Sequence, residues 1–243
     1  MSYMVLLAVA VVAFIGSIVS AITGVAGGVI VLTALLATVD PRAVVPIHSV
    51  VQLIANGSRL VTYVHHVQWP IVGRFAVTVL PGSLIGAWLI SLIEPGMLQA
   101  IIATAILASL LMPNEYQKKK QVAPARWLFY GLGFINGILG MLVGSTGPLV
   151  TIALLYSGVV KERHIATKAA CQAFANIIKI PLFGFAIGFD YTQHAGTIML
   201  LGAAVILGTL VGKRLLTMIS RSAFTSLTRI LLALIAFKML LMK

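Results

Sequence analysis

Carboxylates are scarce in this chain. Five Asp and Glu (Asp40, Glu94, Glu115, Glu162 and Asp190) stand against seventeen Lys and Arg, for a formal net charge of +12. All five fall in or near expected loops, so no two are paired for general acid–base chemistry. Cysteine occurs once, at Cys171. That excludes an intramolecular disulfide and a cysteine-based metal site, and Cys171 reads as a small packing residue. No His-Glu-x-x-His pair and no nucleophile motif is present, so neither an enzyme nor a bound cofactor is expected. Charge of either sign is rare, at 9% of residues, where a soluble domain carries about a quarter. What fills the chain instead is apolar: 60% of residues are hydrophobic and the mean hydropathy is +1.08. Such a chain cannot keep a water-soluble surface and is an integral membrane protein. The basic excess does not point to nucleic acid, because it lacks aromatic interleaving and any long soluble stretch. It suits basic cytoplasmic loops and an anionic substrate.

Apolar segments run over 4–20, 24–38, 43–64, 71–92 and 97–112, then over 127–142, 145–158, 164–187, 195–216 and 224–242. The polar linker "PNEYQKKKQVAPAR" (113–126) divides them. The expected organisation is a first transmembrane repeat over 1–112, a basic cytoplasmic linker, and a second repeat over 127–243. The start "MSYMVLLAVAVVAFIG" has no basic region ahead of its apolar run, and reads as the first membrane segment rather than a removed signal. A helical span needs about 20 residues. Segments 24–38 and 145–158 are short for that, and "TGVAGG" (23–28) and "VGSTGP" (143–148) break the chain at their starts.

The two halves match. A shift of 120 residues gives ten identities over 14–63 without a gap, including Gly24 on Gly144, Gly27 on Gly147, Gln52 on Gln172 and Asn56 on Asn176. The basic loops, at 118–126, 161–164 and 213–221, alternate with loops holding Asp40, Glu94 and Asp190. That places the basic loops in the cytoplasm and both termini outside. Each repeat then crosses an odd number of times, so the second is inverted relative to the first. The expected fold is all-α: a polytopic membrane protein of two inverted repeats, each of about five segments. Short helices broken by glycine would meet near the midplane, the arrangement of secondary transporters.

A polar stripe marks the candidate site. In "HSVVQLIANGSRLVTY" (48–63), His48, Gln52, Asn56, Arg59 and Tyr63 fall within about 80° of one another on a helix. The shift sets them against Lys168, Gln172, Asn176, Lys179 and Phe183 in "KAACQAFANIIKIPLF". With the acids in loops, these cations have no carboxylate beside them, and intramembrane charge of this kind usually faces a pathway. The breaks add a second element. Unsatisfied N–H groups at a helix start attract anions, and Pro148 suits a first helical turn. Gly24, Gly27, Gly28, Gly144 and Gly147 would let the backbone approach, with hydroxyls from Thr23, Ser145 and Thr146. Each residue also has a plainer reading. Gly24, Gly27 and Gly147 suit close helix packing, as do Gly82/Gly86 and Gly208/Gly212. Arg59 and Lys179 could snorkel to an interface, and His48 could be a hydrogen-bonded core histidine.

The stretches "GVAGGVIVLTALL", "HHVQWPIVGRFAVTVLPGSLIGAWL" and "GSTGPLVTIALL", with the Asn-x-x-Arg stripe between the first two, resemble the TauE/SafE family of sulfite-exporter and toluenesulfonate-uptake permeases. The likeness covers nearly the whole chain. The chain departs from the family's longer glycine run, since Ala26 interrupts it and no proline follows before Pro41. The resemblance implies a multi-pass carrier in a bacterial or archaeal inner membrane. Its partners would be the lipid bilayer and a small sulfur oxyanion such as sulfite or an organosulfonate, and a homodimer is left open. An anion leaving a negative-inside cell gains about 2.3 kcal/mol per charge per 100 mV. Without an intramembrane carboxylate relay, export by alternating access is the leading expectation, with an anion-selective channel as the alternative.

Overall fold

The computed structural model describes residues 3–24, 27–39, 41–89 and 126–220, with single positions at 223, 226 and 230. The expected segment 97–112, the linker up to its last residue, nearly all of 224–242, and Asp40, Glu94 and Glu115 lie outside the described residues. Those described are helical, with no strand among them. The helices are α1 (Tyr3–Thr23), α2 (Gly27–Leu36), α3 (Pro41–Thr62), α4 (Trp69–Leu89), α5 (Arg126–Val143), α6 (Gly147–Tyr156), α7 (Lys161–Ile187) and α8 (Ala195–Thr217). Each lies within a few residues of an expected segment.

Four helical stretches are long and apolar enough to cross a membrane: Tyr3–Thr23, Trp69–Leu89, Lys161–Ala186 and Thr192–Thr217. With the family reported below, they make this a multi-pass membrane protein. The ten-residue helices α2 and α6 are each about 15 Å long at 1.5 Å per residue, half the hydrocarbon thickness. Each follows a glycine with left-handed backbone, Gly24 (φ +74°) before α2 and Gly144 (φ +79°) before α6.

Two apolar cores form among the described residues, and each draws on both halves of the chain. One joins Ala13 of α1, Leu35 of α2, Ile47 and Val51 of α3 and Val205 of α8. The other joins Phe75 of α4, Phe129 of α5, Leu154 of α6 and Ile165 and Ala170 of α7, with Cys171 in its packing. The pairs α1–α8 and α4–α5 touch along their backbones. A methyl group added at Gly208 would meet the Phe14 carbonyl, and one at Gly82 would meet that of Phe134. Gly86 and Gly212 are as closely packed, against Ile138 and Ile18. Without a hydrophobic drive between helices in lipid, such backbone approach is what holds them. The outward faces, among them Val77, Trp88, Phe185 and Met199, are apolar and exposed.

Helices α3 and α7 pass each other between the two cores. Their stripes therefore lie where the cores meet.

Candidate functional site

Helix α3 buries His48, Gln52, Asn56 and Arg59, and α7 buries Lys168, Gln172, Asn176 and Lys179. Burial to 3% exposure at Arg59 and 2% at Lys179 leaves no room for the snorkelling reading. Between the helices is a small cavity of about 20 Å³, space for one water. Its walls come from four places. α3 supplies His48, Gln52 and Asn56, and α7 supplies Lys168, Gln172 and Asn176. The start of α2 supplies Gly28 and Val29, and the break before α6 supplies Gly144, Ser145, Thr146, Gly147 and Pro148. The two short helices begin against each other: a methyl group at Gly28 would stand 3.1 Å from Ser145 Oγ and 3.4 Å from Gln52 Oε1.

The two stripes are bonded differently. In α3, His48 Nε2 lies 2.8 Å from the Gly28 carbonyl, and Arg59 Nη1 donates to Asn56 Oδ1 at 3.3 Å. Arg59 Nη2 donates to Ser17 Oγ at 2.9 Å. Ser17 in turn donates to the Val205 carbonyl at 2.7 Å and lies 3.0 Å from Thr209 Oγ1. In α7, Lys179 Nζ donates to the Gly144 carbonyl at 3.4 Å. Gln172 Nε2 and Asn176 Nδ2 are buried donors with no partner. Among the described residues Lys168 also makes no hydrogen bond, and no carboxylate pairs with Arg59, Lys168 or Lys179; the ion pair Lys161–Glu162, at 3.7 Å, is at the start of α7.

Five expected site residues stand behind the lining. Thr23 donates its hydroxyl to Val19 of its own helix at 2.8 Å. Gly27 lets α2 approach α1, where a Cβ would meet Ser20 Cβ at 2.5 Å and the Gly16 carbonyl at 2.6 Å. Gly24 lies against the His164 ring, 2.7 Å from where its Cβ would be, and its carbonyl accepts from Thr151 at 3.3 Å. Arg59 braces Asn56, and Lys179 braces the second break. Gly147 leaves space for Lys168, whose Nζ would be 3.2 Å from an added Cβ.

Sequence reasoning passed over Asn136, Ser17, Thr209 and His164. Asn136 Nδ2 donates to Thr146 Oγ1 at 2.7 Å and so holds the break before α6. Its signal was an amide within the apolar run "FINGIL". Ser17 and Thr209 carry little signal, since small hydroxyls are ordinary in membrane helices.

Polar side chains of α3 and α7 and the starts of two short helices thus line one small cavity. The family model "Sulfite exporter TauE/SafE" matches residues 8–239, and the chain belongs to that family of membrane transporters. No curated protein and no solved structure matches significantly.

Proposed function

We propose that this protein is a secondary transporter of small sulfur oxyanions, sulfite or an organosulfonate, and that it exports them across a bacterial or archaeal cytoplasmic membrane by alternating access. One observation carries the reading: Gln172 and Asn176 bring unpartnered donors, beside the Lys168 ammonium, to a small cavity at two helix starts. A buried donor left unpaired costs about 1–3 kcal/mol, and an oxyanion supplies acceptors in several directions at once. A cavity no larger than one water favours a carrier over an open channel.

The architecture we propose is an inverted repeat, 1–112 and 127–243, joined by the cytoplasmic linker 113–126, with both termini outside. Its support is the reciprocal packing. Under the 120-residue shift α5, α6 and α7 correspond to α1, α2 and α3. One core joins α1–α3 to α8, and the other joins α5–α7 to α4. The helices α2 and α6 are then half-length segments that turn back near the midplane, as in other broken-helix transporters.

Calorimetry on the purified protein with sulfite, methanesulfonate, sulfate, acetate and chloride tests the site. Selective binding of a sulfur oxyanion is expected, weakened about 10-fold or more by Asn56→Ala and by Asn176→Ala, the scale of one hydrogen bond to a charged group. Wild-type affinity in both variants would remove the site. Counterflow in liposomes separates carrier from channel, since large ohmic currents without counterflow would replace the carrier with a pore.

A further inference from the structure

His48 differs from every other group lining the cavity. The carbonyl of Gly28, 2.8 Å from Nε2, can only accept, so Nε2 carries a proton and donates it. The hydrogen bond thereby sets the tautomer: in the neutral ring the lone pair is on Nδ1. That atom is buried and has no partner, in a side chain only 1% exposed that lines the cavity. Amides can present either end to a ligand and hydroxyls can rotate. Nδ1 can offer only a lone pair until it gains a proton.

An oxyanion oxygen set against that lone pair is repelled. One proton between them turns the repulsion into a charge-assisted hydrogen bond. The buried cations of the two stripes are Lys168, which lines the cavity with His48, Lys179 further along α7, and Arg59 on α3 itself; α2 and the cavity end of α6 contribute none. These cations oppose a further positive charge on an empty site, and a bound oxyanion offsets that opposition. Anion and proton therefore favour each other.

We infer that His48 makes this a proton-linked site: the bound species is an oxyanion together with one proton, held between an anion oxygen and His48 Nδ1. The inference rests on the anion site proposed above. The proton comes from solvent, or arrives on the ligand when the ligand is already a hydrogen-oxyanion, and no bond other than that to the proton is made or broken. A divalent sulfite would then cross with one net negative charge, and a monovalent sulfonate with none.

Methanesulfonate is the deciding probe, because it reaches the site without a proton of its own. Its binding to the full-length protein is measured by calorimetry at one pH in buffers of different ionisation enthalpy. Uptake of about one proton per anion is expected for the wild type, by linkage. His48→Gln keeps a donor for the Gly28 carbonyl but no titrating nitrogen, and its uptake is expected to fall to about zero. Binding without uptake in the wild type overturns the inference and leaves the anion site standing, and this arm decides even if the variant fails to fold. Unchanged uptake in His48→Gln overturns it too. If no oxyanion binds the wild type, the anion site and the inference fall together.

Discussion

The stripes on α3 and α7 match in sequence yet differ in what their side chains touch. On α3, His48 is bonded to Gly28 and Asn56 to Arg59, which is itself tied to Ser17. On α7, Lys168, Gln172 and Asn176 are bonded to nothing among the described residues, and Lys179 reaches back to Gly144. Three of the four polar residues of the α3 stripe are tied by a hydrogen bond, all but Gln52, while on α7 only Lys179 is tied. The two matched stripes are thus unequal in their bonding. At the anion site proposed above, preorganisation on one side would lower the ordering cost of binding, and the unpaired side would offer free donors.

The largest test of this asymmetry lies at the two breaks. Gly24→Ala and Gly144→Ala each force alanine into left-handed backbone, at about 1–2 kcal/mol. At Gly24 the methyl also meets the His164 ring at 2.7 Å, while at Gly144 the nearest atoms, on Val45 and Leu32, are 3.2 Å away or more. Overpacking adds about 1–3 kcal/mol, so Gly24→Ala is expected to lower the melting temperature clearly further. Equal losses would mean that the breaks are equivalent after all. Next come the cations. Arg59→Met leaves Asn56 Oδ1 without its partner, a loss of about 1–3 kcal/mol. Lys168→Met removes a buried charge that has no hydrogen bond, and is expected to leave stability level or raised while oxyanion binding disappears. Thermal melts of the two variants, with calorimetry, check the opposite signs; a Lys168→Met protein less stable than Arg59→Met would reverse the assignment of the stripes.

The smallest effect is expected outside the site, in the turn between α7 and α8. The Thr192 hydroxyl and N–H, with Gln193, donate to Asp190 and hold its carboxyl below its ordinary range. A depressed carboxylate contributes stability above its unfolded pKa and loses it as pH falls through the folded one. Asp190→Asn is therefore expected to lower the melting temperature slightly at neutral pH, and the difference from wild type should vanish in acid. A constant difference across that range would refute the turn's role.

Much of this was legible in the sequence because helix periodicity is local. Residues 48, 52, 56 and 59 must share a face once the segment is helical, and burial of a polar face in an apolar chain implies a polar neighbour. The matched amides predicted which neighbour. Arg59 and Lys179 were read as ligands yet act behind the lining, because spacing gives the face of a helix and not the reach of a long side chain. The ungapped shift also misses a further likeness between the halves. Gly82-Ser83 and Gly86 correspond in packing to Gly208-Thr209 and Gly212, a shift of 126 (208 − 82) rather than 120. α7, at 27 residues against 22 for α3, contains most of the difference. The bond from Arg59 to Ser17, across 42 residues, exists only once α1 and α3 meet in space.

The cavity between the stripes has room for one water, and that smallness acts as a mechanical threshold. In the carrier proposed above, an oxyanion of four or more heavy atoms would enter by prising α3 from α7 and the start of α2 from the break before α6. Because those contacts join the two cores, accommodation of the anion and displacement of one bundle against the other would then be a single event. An ion small enough to lodge without that displacement would occupy the site and stay where it was. Selectivity in the proposed carrier would then reside as much in the work an anion does on its surroundings as in the donors that greet it.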